Sequence, residues 1–142
     1  MKTFRLWVLA LFAFMQCAKE NRDPLPEVDS IVGKWRIVEY KQIHGDSTVT
    51  QKVSNADSYL YEIRYDGVLL NEAGYVPCCL PVGYSLNGKA FTPKPATTLE
   101  LDPVCSYSLC ATCPEMKLTL ISPDRLTMET CTGYFSTFMR EK

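Results

Sequence analysis

Ser58-Tyr-Leu-Tyr-Glu-Ile-Arg-Tyr-Asp-Gly67 decides the fold class. Tyr59, Tyr61, Ile63 and Tyr65 recur at every second position, with Leu60, Glu62 and Arg64 between them. A period of two places the first set on one face of a β-strand and the second on the other. Asp66-Gly67 follows where a two-residue hairpin turn needs φ > 0, so the chain is expected to reverse there into an antiparallel partner.

The same reading extends outward. Ile31 to Ile43 (IVGKWRIVEYKQI) is rich in β-branched and aromatic residues, and Ser47 to Val53 follows it after a His44-Gly45-Asp46 turn. Tyr84 to Phe91 holds Asn87-Gly88, which suits a type I′ turn. Thr97 to Leu101 reads as a short strand. Met116 to Ile121 and Leu126 to Thr130 flank Ser122-Pro123-Asp124-Arg125, and Gly133 to Arg140 ends the pattern. No stretch sustains helical periodicity. Eight to ten short strands are therefore expected in about 110 residues, with no room for crossover helices, which excludes parallel pairing on connection length. The fold class is all-β and antiparallel, an up-and-down barrel or a sandwich.

The whole chain has 142 residues, 15 Lys+Arg against 16 Asp+Glu, one His and seven Cys. That length supports one domain with a real core. The near-zero charge excludes a strongly basic nucleic-acid binder. A single imidazole, His44, lies in a turn between strands, where solvation is its ordinary role. Glu62, Glu100 and Glu129 are flanked by apolar or aromatic neighbours and read as solvated strand faces. No phosphate loop, HExxH or EF-hand pattern occurs. The chain reads as a non-enzyme with no cofactor and no metal.

Lys2 and Arg5 precede an uncharged apolar run, Leu6 to Met15, that would span roughly 15 Å as a helix. That is about half of a hydrocarbon core, too short to cross it, and it has the proportions of a secretory signal. Cys17 directly after this run resembles the lipobox cysteine of bacterial lipoproteins, although Phe14 and Gln16 depart from the preferred residues. The resemblance implies a signal peptide over 1–16, lipidation at Cys17, a polar tether over 17–30 and a domain over 31–142. It implies an anchor in the cell outer membrane, on its periplasmic or surface face.

Gly33-Lys34-Trp35 at the start of the first long strand resembles the G-x-W signature of lipocalin and calycin barrels. The whole resembles the short lipocalin-like lipoproteins of Bacteroidetes. This resemblance implies a lipocalin-like up-and-down β-barrel, with Gly33, Trp35 and Arg140 closing one end and the guanidinium lying across the indole. It further implies binding of a small apolar or amphipathic ligand in the barrel mouth. Tyr59, Tyr61, Ile63 and Tyr65 are the candidate lining residues. No Thr-Asp-Tyr motif and no C-terminal helical pattern accompany it.

Six further cysteines, Cys78, Cys79, Cys105, Cys110, Cys113 and Cys131, form an even set in an exported chain and read as three disulfides. Their connectivity is open among fifteen pairings. Two other readings compete. Cys105-x4-Cys110-x2-Cys113 has the spacing of a [2Fe–2S] loop and the same thiolates could hold zinc, but an oxidising compartment works against both. Cys110-Ala-Thr-Cys113 is also a C-x-x-C, but Pro114 and a strand follow in place of the helix that would activate its first thiol. A second function class is a filled, disulfide-stapled module whose Cys-rich loops contact an envelope protein or inhibit an enzyme.

Overall fold

The computed structural model describes residues 23–111 and 113–142; the leader at 1–16 and the lipidation candidate Cys17 lie outside the described residues. Nine strands form one sheet: β1 (Gly33–His44), β2 (Ser47–Lys52), β3 (Leu60–Ile63), β4 (Leu69–Asn71), β5 (Gly83–Leu86), β6 (Lys89–Phe91), β7 (Glu115–Ser122), β8 (Arg125–Cys131) and β9 (Tyr134–Arg140). Their order is β4-β3-β1-β9-β8-β7-β5-β6, with β2 paired to the second half of β1. The sheet is strongly curled and barrel-like. Register shifts at Ile37/Glu39, Leu120/Ser122 and Glu129/Cys131 add local twist.

The inner face follows the period-two reading. Trp35 stands opposite Tyr61 on β3 and Arg140 on β9, Ile37 opposite Phe138, Phe138 opposite Leu126, and Leu118 opposite Met128. Ile31, Trp35, Ile37, Met116, Leu126 and Phe138 are buried almost completely and form the core. Asn87 and Gly88 both have positive φ, as a type I′ hairpin between β5 and β6 requires.

Four sequence expectations are corrected. The sheet is mixed, because β5 runs parallel to β7 along Gly83–Leu86. The exclusion of parallel pairing assumed a helical crossover. The chain from β6 to β7 returns instead through irregular, disulfide-tied backbone that is long enough to do the same. Thr97 to Leu101 forms no strand and contributes a single parallel bridge, Val76 to Leu101. At the β3–β4 turn only Gly67 has positive φ; Gly67 N–H donates to the Arg64 carbonyl, and Asp66 turns inward and is buried. The expected tether also differs over its described part: Val28 is fully buried and Leu25 packs on the core, so the packed domain begins ahead of Ile31.

No strand pairing joins β4 to β6 among the described residues. The gap is bridged through Asp66. Its carboxylate accepts from the Arg64 guanidinium, from Val68 N and from Ala96 N at 3.0 Å, while its carbonyl accepts from Lys94 N at 2.9 Å. Desolvation raises this carboxyl's pKa, but the Arg64 and backbone hydrogen bonds outweigh it and hold the pKa below the ordinary value. One buried acid thus ties the segment after β6 back onto the β3–β4 turn. Its place before Gly67 in the sequence signals a turn role only.

Candidate functional site

The two ends of the curled sheet differ in chemistry. At the end where β1 begins, the Trp35 indole N–H donates to the Ile31 carbonyl at 2.8 Å. The Arg140 guanidinium lies 4.2 Å from the indole centroid. It also donates to the carbonyls of Pro123 (2.8 Å), Val32 (2.7 Å) and Ser30 (2.8 Å). Gly33 has φ +127°, and a Cβ there would stand 3.1 Å from Arg140 Nη1. The structure therefore brings Gly33, Trp35 and Arg140 together as one plug that also pins the entering chain and the β7–β8 turn. The stacking alone contributes roughly 0.5–2 kcal/mol.

The opposite end, the mouth, is covered by two loops that three disulfides fasten. Cys78–Cys105 and Cys79–Cys110 join the loop after β4 to the segment before β7, and Cys113–Cys131 joins that segment to the end of β8. Oxidation in these pairs leaves none of the six sulfurs as a thiolate for zinc or an iron–sulfur cluster. Hydrogen bonds add to the fastening: Val76 N donates to Glu100 O at 2.8 Å, and Asn71 Nδ2 donates to Asp102 Oδ2 at 2.6 Å. Asp102 also accepts from Val104 N and so starts the 3-10 turn Pro103–Tyr107.

Beneath these loops lies a cavity of about 300 Å³. Its walls come from Tyr59, Tyr61, Leu80, Met116, Met128 and Phe138, with the disulfides along the roof. Thr130 and Ser136 add two hydroxyls, and neither makes a hydrogen bond among the described residues. No charged side chain lines it among the described residues. The Tyr59 and Tyr61 rings meet edge-on at 5.0 Å and both pack on Phe138. The Tyr59 phenol pKa is pushed far up, first by burial and then by the neighbouring Tyr40 and Tyr61 phenols; burial likewise raises Tyr61. Both rings are neutral at any physiological pH.

The four lining candidates do not share one site. Tyr59 and Tyr61 face the mouth cavity, whereas Ile63 belongs to the packed core nearer the plug. Tyr65 lies beyond the end of β3, where its carbonyl accepts from Leu25 N at 2.8 Å. The single-face pattern holds only as far as the strand does. Met116, Met128, Thr130, Ser136 and Phe138 also wall the cavity, beyond the four residues that the sequence singles out. Their alternation along β7, β8 and β9 marked them as inward-facing, but which inward positions enclose space depends on how the strands stagger. His44 sits at the β1–β2 turn, edge-on to Tyr134 at 6.1 Å. No protein-family model, curated protein or solved structure matches the chain.

Proposed function

We propose that this protein is an exported lipoprotein, anchored to the outer membrane through Cys17, whose lipocalin-like barrel binds a small apolar or amphipathic molecule at its mouth. The observation that carries this reading is the cavity of about 300 Å³ under the disulfide-fastened loops. Ligand sites are concave, mostly apolar and equipped with a few polar groups, and 300 Å³ is at the lower end of their usual size. The Tyr59, Met128 and Phe138 side chains supply the apolar walls, and the Thr130 and Ser136 hydroxyls supply orientation. The aromatic plug fills the other end of the curled sheet.

The test is a native intact mass of the protein purified from its own membranes. A chain beginning at acylated Cys17 with a dissociable extra mass of a few hundred daltons is the expected result. A chain that is neither acylated nor loaded would overturn both parts. A second reading, a contact module for an envelope protein, is favoured by the loops themselves: Tyr107 is 89% exposed and Leu109 fully exposed on backbone that Cys105 and Cys110 hold rigid. A stoichiometric protein complex in the same spectrum, with no small-molecule mass, would select it.

A further inference from the structure

Resting on the ligand-binding reading, we infer that the mouth cavity selects an uncharged, compact molecule of aromatic size with one hydrogen-bonding group, and rejects both ions and long acyl chains. Three observations carry this. The first is size. At roughly 30 Å³ per water, the cavity of about 300 Å³ holds about ten waters. At interior packing density that is room for roughly ten to fifteen non-hydrogen atoms.

The second observation is the floor. Past Met116 and Met128 the neighbouring void, bounded by Ile63, Leu69, Leu118, Tyr84 and Phe91, shrinks to about 10 Å³, no more than one water needs. Beyond it the Trp35–Arg140 plug fills that end of the curled sheet. An acyl chain entering at the mouth has nowhere to extend and would leave most of its length in water.

The third observation is charge. With no ionic side chain in the lining among the described residues, an ion would give up its hydration and find no counter-charge. Glu72 and Asp102, in the outer groove next to Tyr59 and Tyr61, add repulsion against a carboxylate. What the walls do offer is ring faces at Tyr59 and Phe138 and thioethers at Met116 and Met128, which contact aromatic edges favourably. Among the described side chains the hydroxyls in the lining belong to Tyr59 and Tyr61 and, on the β8–β9 side, to Thr130 and Ser136; this last pair fits one hydroxyl, carbonyl or ring N–H on the ligand.

The test uses the full-length oxidised protein and calorimetric titration with four probes: indole, indole-3-acetate, tryptamine and palmitate. The expected result is measurable binding of indole, at least tenfold weaker binding of the anion and the cation, and none of palmitate. Either ion binding as well as indole, or palmitate binding tighter, would overturn the selectivity while leaving the ligand-binding reading standing. If none of the four binds, the inferred class is wrong, and the native mass separately decides whether any small ligand is carried. Ser136→Phe fills the cavity from its wall and is expected to lower indole affinity at least tenfold with an unchanged melting temperature. A folded S136F that binds indole normally would place the site elsewhere and overturn the inference. Should that variant fail to fold, the four-probe series on the unaltered protein still decides it.

Discussion

The plug and the mouth lie at opposite ends of one curled sheet, yet they treat polar groups in opposite ways. At the plug every nitrogen of the Arg140 guanidinium donates to a backbone carbonyl, and the Trp35 N–H has its own acceptor. At the mouth the Thr130 and Ser136 hydroxyls make no hydrogen bond among the described residues and border open space. Polar groups satisfied inside the protein rigidify a site, and unsatisfied ones around a cavity are available to something else. The mouth, short of core contacts, is held by covalent bonds, and the plug is held by packing and hydrogen bonds alone. The contrast separates a filled end from a hollow one within one small domain.

The largest effect that would test this contrast is at the plug. Trp35→Ala removes the largest fully buried side chain and leaves a cavity under Arg140. It is expected to cost about 3–5 kcal/mol, read as a lowered midpoint in urea unfolding. A loss below about 1 kcal/mol would mean that the plug is not the stabilising end. Next comes the mouth. The Cys113→Ser, Cys131→Ser double variant opens a bridge of sequence separation 18 and should lose about 3 kcal/mol, mostly through the freer unfolded chain. The near-ultraviolet circular dichroism of the mouth tyrosines should change in that variant while Trp35 fluorescence does not. A shift of the Trp35 emission would show that the two ends are coupled after all.

The smallest expected effect concerns Asp66, which belongs to neither end. Its pKa in the folded chain lies below the unfolded value, so the carboxylate contributes stability that is fully present above about pH 4 and fades as acid protonates it. Asp66→Asn should cost roughly 1.5–3 kcal/mol at neutral pH, in the range of hydrogen bonds to a charged group. It should also flatten the pH dependence of the unfolding midpoint below pH 4. An unchanged acid limb in D66N would assign that dependence to other carboxylates.

Several of these features were legible in the residues. Alternation in Tyr59 to Ile63 and in β7 to β9 identified the strands and their inward faces, because a pleated strand leaves side chains no other choice. Asn87-Gly88 specified its turn through local backbone energetics. Asp66-Gly67 offered the same local signal and misled, because a buried carboxylate with three sets of donors outweighs a turn preference. The β5–β7 pairing was hidden for a related reason. Nothing in residues 92–101 shows that irregular backbone, once clipped by Cys78–Cys105 and Cys79–Cys110, can serve as a crossover.

What the sequence by itself determined is the all-β class, the alternating core and the even set of six cysteines, since each depends on a residue and its near neighbours. Only the tertiary structure decided which cysteines pair, that the sheet is mixed, and that Asp66 bridges its open edge. It also decided that inward-facing Ile63 fills the core while Tyr59, Met128 and Ser136 border a cavity. These depend on strand stagger and on contacts between residues far apart along the chain, and no local pattern encodes the distance across a barrel.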